Sequence, residues 1–221
     1  MLDNPIWGAL TTAHARLAEG DGLALRYPPD VTPLAGLIEQ SPAAYAALAT
    51  LIPVGGMAGL FRDVLPDPPA GWEIVTRGPM RQMHCAHQIP VANDRIERLG
   101  PADVPAMAEL VQLTDPGPFG PRTIALGDFY GIRDEGRLVA MAGERIHPGS
   151  YAEVSAVCTH PDFRGRGYAA ALVTKVAQGM VARGDLPMLH VRTDNPAVRV
   201  YEQVGFTTER HLQFLIVRRT T

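Results

Sequence analysis

Cysteine is nearly absent from this sequence: Cys85 and Cys158 are the two it has, far apart along the chain. A pair so spaced does not make the disulfide framework of a small secreted domain. Long apolar runs are missing as well, since no stretch reaches the roughly 18 to 20 residues that a membrane-spanning helix needs. The opening residues MLDNPIWGAL carry no basic segment followed by an apolar core, so no secretory leader is expected. Neither sign of charge dominates. The 20 basic and 23 acidic residues leave a formal charge of −3, which gives no general attraction for nucleic acid or an anionic membrane. These absences predict a soluble, cytoplasmic protein with neither nucleic acid nor membrane as partner.

What is present is apolar material for a sizeable core. With 46% hydrophobic residues in 221, the chain suffices for one large domain or two small ones. Residues 1–94 are rich in Pro, Gly and Ala, and stand either as a second domain or as an elaboration of the remainder. Their pattern predicts a helix over 5–18, a strand ending at Pro28–Pro29, and a helix with Ser41 as cap and Pro42 in its first turn. Strands are expected at 72–76 and 80–85.

From residue 95 onward the pattern is clearer. A strand over 96–99 precedes a helix over 101–113, whose stripe is Val104, Met107, Ala108 and Val111. The Pro/Gly segment 114–123 suits the mouth of a site. FYGIRD and RLVAMAGERI bracket a hairpin turn at Glu135–Gly136. A strand over 152–158, a helix over 167–182, a strand over 187–193, a helix over 196–204 ended by Gly205, and a strand over 206–218 complete the order. Hairpins followed by two crossover helices predict an α/β (α+β) domain over 95–221, with helices on both faces of its sheet.

The stretch carrying most chemistry runs from Glu153 to Met180. There a strand enters a short turn, and Gly165 and Gly167 open a long helix. The amides at that end lack helical partners, and with the helix dipole they form a nest for phosphate. Arg164 and Arg166 add positive charge. A nucleoside triphosphate loop is excluded, because no Lys-Ser/Thr pair follows the glycines. A dinucleotide fingerprint is excluded too, because Asp185 precedes the next strand instead of ending it.

Arg164, Gly165, Arg166, Gly167, Tyr168 and Ala169 resemble the R/Q-x-x-G-x-G/A acyl-CoA loop of the GCN5-related N-acetyltransferase (GNAT) superfamily. The segment from Tyr201 through Gly205 to Phe206 resembles its late Tyr-x-x-x-Gly-Phe motif. Order and spacing agree from about Arg95 to Arg218, and the chain is similar to the glycine-acyltransferase-like (FR47-like) branch, a likeness that implies a degenerate half-domain over residues 1–94. The resemblance implies a mixed, mostly antiparallel sheet and acetyl-CoA lying between the strands 153–158 and 188–192. Its pyrophosphate would rest on residues 164–169, with backbone groups of Ala156, Val157 and Cys158 along its pantetheine arm. The implied activity is direct transfer of an acetyl group to a primary amine of a small molecule or peptide, with a non-catalytic acyl-CoA-binding module as the alternative and a homodimer as the family's expectation.

Such a transfer needs a neutral amine and a proton for the leaving thiolate. Tyr201 is the expected general acid, and packing at a helix–sheet junction is its plain alternative. Glu153, eleven residues before Arg164, has the spacing of the histone-modifying members of the family the chain resembles and is the expected general base. The alternatives are an ordered water as base, or a strand-edge glutamate that is exposed or only binds a cationic substrate. Asn195 is expected near the pantetheine arm, although the family's spacing from the tyrosine falls on Asp194, and capping the helix at Pro196 explains it equally well. No metal is expected, since His84, Cys85 and His87 find no second cluster. Cys158 reads as a buried strand cysteine and not as a nucleophile. His190 alternates into the strand beside the cofactor, as a core or a channel residue.

Overall fold

The computed structural model describes residues 1–85 and 95–221. Its eleven strands are β1 (Glu19–Asp21), β2 (Ala24–Arg26), β3 (Ala35–Leu37), β4 (Met57–Arg62), β5 (Trp72–Cys85), β6 (Ile96–Leu99), β7 (Phe129–Asp134), β8 (Arg137–Glu144), β9 (Tyr151–Thr159), β10 (Leu186–Arg192) and β11 (Phe206–Arg219). The helices are α1 (Pro5–Leu10), α2 (Pro42–Leu51), α3 (Val104–Thr114), α4 (Tyr168–Ala182) and α5 (Val198–Gln203). β1, β2 and β3 form a small sheet. The other eight strands form one sheet in the order β4-β11-β5-β10-β9-β8-β7-β6.

Strands from both sides of the expected 94/95 division share that large sheet. β5 lies between β11 and β10, and β4 forms the far edge. The N-terminal residues therefore extend the same sheet, and β1–β3 with α2 cap its end through Ala24, Leu37, Leu48, Leu60 and Leu215.

Local chemistry explains where the elements depart from expectation. The helix expected over 5–18 stops at Leu10, because Thr11 and Thr12 donate their hydroxyls back to the carbonyls of Trp7 (2.8 Å) and Gly8 (2.6 Å). The single strand expected before Pro28 is the hairpin β1–β2. The two strands expected at 72–76 and 80–85 fuse into β5, where Gly78 leaves room for the Phe214 ring, 2.8 Å from where a Cβ would stand. The hairpin turn at Glu135 (φ 49°) and Gly136 (φ 82°), the Ser41 cap of α2 and the strand over 96–99 stand as expected.

Both faces of the sheet are covered by helices. α4 lays Leu172, Val173, Val176 and Met180, none of them exposed, against Ile132, Val139 and Ala140. α3 covers the opposite face with Met107 and Leu110, packed on Phe129, Met141 and Cys158. Each fully buried large side chain contributes about 1.5 to 3 kcal/mol. Both helices thus hold β8 and β9 rigidly.

Candidate functional site

β9 and β10 are the one parallel pair of this sheet among the described residues, and they pair only over Tyr151–Glu153 and Leu186–Met188. Beyond that point they part, leaving the β10-facing edge of β9 from Val154 to Thr159 without a ladder partner. On its other side β9 carries a bulge. Register with β8 slips between Gly143–Ser155 and Met141–Cys158, and Ala156 takes a left-handed φ of 51°. Ser155, Ala156 and Val157 stay partly exposed between the buried Val154 and Cys158. At the far ends of the parted strands, the hydroxyl oxygens of Thr159 and Thr193 are buried without a hydrogen-bond partner. The gap thus offers backbone edges and unsatisfied polar groups to an extended ligand.

β9 leads through a short turn to α4. Gly165 and Gly167 both hold φ at 76°, and no atom lies within 4 Å of where a Cβ would sit on either. The first helical bond runs from the Ala171 N–H to the Gly167 carbonyl at 3.1 Å, so the amides of Tyr168, Ala169 and Ala170 precede it. Arg164 and Arg166 are exposed. The Arg164 Nε donates to the Thr159 carbonyl (3.4 Å), and the Arg166 guanidinium lies 4.6 Å from the Phe163 ring centre. Tyr168 is buried, and its hydroxyl accepts from Arg95 at 3.2 Å. Open space over two left-handed glycines at the mouth of a 15-residue helix fits a pyrophosphate.

Tyr201 projects from α5 into the cluster that contains Val154 of β9 and Val191 of β10. Burial pushes its hydroxyl up to about 12, with Cys158 and Glu153 adding to the effect and Arg145 opposing it. The hydroxyl makes no hydrogen bond among the described residues. At neutral pH it is a protonated donor. Cys158 is buried, its thiol lies 3.2 Å from the Ala156 carbonyl, and burial pushes it up to about 12. Such a thiol is not a nucleophile. Asn195 is exposed, and its Oδ1 accepts from the Ala197 N–H at 2.9 Å, which closes an Asx turn just ahead of α5.

Glu153 meets a setting the strand pattern did not foretell. It is wholly buried. Its carboxylate accepts two bonds from Arg145 (2.7 and 2.6 Å) and lies 2.7 Å from His190 Nδ1, while His190 Nε2 is 2.9 Å from the Gln82 amide nitrogen. Burial alone would raise its pKa, but Arg145 and then His190 outweigh this and hold it at about 2. This network ties β5, β8–β9 and β10 together. Because removing one partner of a buried pair leaves the other charge uncompensated, Glu153→Gln should cost about 3 to 5 kcal/mol of stability, measured by urea unfolding.

A small recess, open to solvent, lies beside the bulge. Ser155, Ala156, Glu144 and Arg145 form its inner wall, and Phe119 and Thr32 stand among the residues opposite. Pro116, Gly117 and Pro118 of the Pro/Gly segment also line this recess. Glu144 is nearly buried, with His147 Nε2 at 3.0 Å and Arg183 at 2.8 Å. Burial would raise its carboxyl; the two partners hold it below the usual range.

His147 in turn faces His14, at 5.0 Å between ring centres, and His14 Nδ1 bonds the Tyr27 hydroxyl at 2.8 Å. Burial, then the charge of His147, lowers His14 to about 4. A folded pKa depressed below the ordinary 6.5 means that the unfolded chain binds the extra proton between these values. Stability should therefore fall as pH drops from about 6.5 to 4, on the order of 3 kcal/mol from this group. Glu153 extends the loss from its ordinary 4.5 down to about 2. Unfolding followed against pH should show His14→Gln flattening the upper limb alone.

Sequence reasoning missed the Arg145–Glu153–His190–Gln82 network and the part Thr32 plays in the recess. Charges on β8, β9 and β10 meet only through strand order, and no local spacing signals it. His84 stacks on Tyr151 (5.0 Å between rings), and His87 lies outside the described residues.

Known proteins share this architecture. The family model described as FR47-like protein matches residues 129–215. A crystal structure from Novosphingobium aromaticivorans, described as an acetyltransferase of the GNAT family, is 39% identical over 100% of this chain and 99% of its own, with a TM-score of 0.93. A GCN5-related N-acetyltransferase from Kribbella flavida is 17% identical over 96% of this chain and 93% of its own, with a TM-score of 0.66, a likeness of fold alone. An acetyltransferase of Yersinia enterocolitica is 47% identical over 53 residues, 23% of this chain and 37% of the relative. The chain thus matches little more than a third of that curated relative's length. Parted parallel strands, a bulged β9, a glycine loop opening α4 and full-length similarity to a GNAT-family structure agree: the chain belongs to the GCN5-related N-acetyltransferase family.

Proposed function

We propose that the chain transfers an acetyl group from acetyl-CoA directly to a primary amine. The observation that carries this reading is the gap between β9 and β10, with the glycine loop at one end and the Tyr201 hydroxyl, without a hydrogen-bond partner among the described residues, beside it. Acetyl-CoA, when bound, supplies an activated thioester. Amides of Gly167, Tyr168 and Ala169, with Arg164, Gly165 and Arg166, would hold its pyrophosphate. The edge of β9 at Ala156, Val157 and Cys158 would hold its arm and carbonyl, in fixed geometry. The amide nitrogen of Asn195 remains as a further donor to that arm, its oxygen being committed to the turn ahead of α5.

In this reading Tyr201 is the general acid and gives its proton to the departing sulfur. Glu153 is a positioning residue and not the base. A carboxylate held at about 2 by Arg145 and His190 is almost never free to take a proton at neutral pH, so the amine loses its proton to water in the open recess. Its contribution is to fix Arg145 and the strand edges beside the bulge. A Glu153→Gln variant that keeps wild-type stability and yet loses kcat would overturn that assignment.

The transfer is direct, because Cys158, on the edge of β9 beside the gap, is buried and held protonated. Incubation with radiolabelled acetyl-CoA alone should leave no label on the protein, whereas adding an amine acceptor should release free thiol. Stoichiometric labelling of the chain without acceptor would contradict the direct route. Tight cofactor binding with no thiol release for any amine would favour the non-catalytic module. Two copies acting as a homodimer is part of the same proposal and is read by light scattering.

A further inference from the structure

Residues outside the FR47-like match close the recess. That match begins at Phe129, whereas Thr32, Phe119, Thr123 and Leu126 all precede it. The wall they form is tightly built. Thr123 Oγ1 donates to the Val31 carbonyl at 2.6 Å and accepts from the Gly120 N–H at 2.7 Å. The Arg122 N–H donates to the Asp30 carbonyl at 2.9 Å, and its guanidinium meets the Asp30 carboxylate at 3.2 Å. A Cβ on Gly120 would stand 2.4 Å from the Asp30 carbonyl oxygen, so the two segments touch backbone to backbone. Thr32, 2% exposed, lines the recess from this stapled segment, and its hydroxyl makes no hydrogen bond among the described residues.

The charges of the recess are already matched. Arg145 is neutralised by Glu153, and Glu144 by Arg183. No carboxylate of the described lining is left to hold a second ammonium, and the rest is mainly aromatic, aliphatic and proline surface.

We propose that residues 30–32 and the loop 116–126 form an acceptor-specificity wall whose depth is set by Thr32, and that it admits a primary amine on a compact apolar or aromatic body in preference to a polycation. The inference rests on the transferase reading above. The cofactor half of the site lies in the stretch shared with the family model, and the acceptor half is supplied by this chain's N-terminal segment.

The test uses the whole chain with 2-phenylethylamine, ethylamine and spermidine as acceptors. Thiol release is followed for the wild type, Thr32→Leu and Thr32→Ser, with acetyl-CoA affinity of each taken by calorimetry. The wild type should favour 2-phenylethylamine over spermidine in kcat/KM by about tenfold or more. Thr32→Leu intrudes into the recess and should raise KM for 2-phenylethylamine about tenfold, with ethylamine within about twofold and acetyl-CoA affinity unchanged. Thr32→Ser, which frees space and keeps the hydroxyl, should retain the wild-type KM. A wild type that prefers spermidine or uses neither aromatic nor small amine overturns the proposal, as does a Thr32→Leu protein that binds acetyl-CoA with KM unmoved. Failure of the wild type to bind acetyl-CoA is a distinct result, because it removes the transferase reading itself.

Discussion

Tyr201→Phe should lower kcat for amine acetylation by about 10²- to 10⁴-fold, with acetyl-CoA affinity changed by less than about threefold. The ring would stay in the cluster of Val154, Val191 and Phe206, so packing and the shape of the gap are kept. What goes is one hydroxyl, pushed up to about 12 by burial and making no hydrogen bond among the described residues. Such a group is a donor at neutral pH and has no competing acceptor there. Without it the thiolate must leave unprotonated or take its proton from water. Burst and steady-state rates separate the outcomes. A slowed chemical step with intact binding identifies the acid; a variant with wild-type kcat would show that Tyr201 only packs.

Gly167→Val should weaken acetyl-CoA by about a hundredfold or more, which two lost charge-assisted hydrogen bonds would supply. The residue caps α4 at φ 76°, and the space above it is empty of protein. A β-branched side chain there would occupy the place a pyrophosphate needs and would also be strained, at a cost of about 1 to 3 kcal/mol. That strain leaves the fold intact if its stability is in the usual range of about 5 to 15 kcal/mol. A melting curve taken beside the binding curve tells the two effects apart. Lost binding in a folded variant is the expected result, and full binding would remove the loop from the cofactor site.

The C-terminal half was largely legible from sequence because its signals are local. A glycine pair before an apolar helical stripe, a Glu135–Gly136 turn between two β-rich runs, and Gly205 ending a helix each act within a few residues, and the structure has all three. The N-terminal half was harder because its strands gain their partners from far along the chain. β5 is held by β11 and β10, more than 100 residues later, so the Gly78–Pro79 break looks like a strand end until Phe214 is seen to pack over it. Glu153 teaches the same lesson about the site. Its place at the start of a strand was readable, but its pairing with Arg145 and His190 depends on sheet order and hence on tertiary structure. For Asn195 a local turn ahead of α5 accounts for its oxygen, while α5 itself starts at Val198 without a side-chain cap. Thr32 had no sequence signal at all, since it becomes part of the recess only through backbone contacts of its neighbours with residues 120–123.

The central claim is that the gap between β9 and β10, with the glycine loop at its end, binds acetyl-CoA. Calorimetric titration of acetyl-CoA into the purified full chain tests it most directly. The account predicts saturable binding at one molecule per chain. No binding heat at millimolar acetyl-CoA, with a cooperative melt showing the protein folded, would contradict it and leave a family member that has given up the family's cofactor.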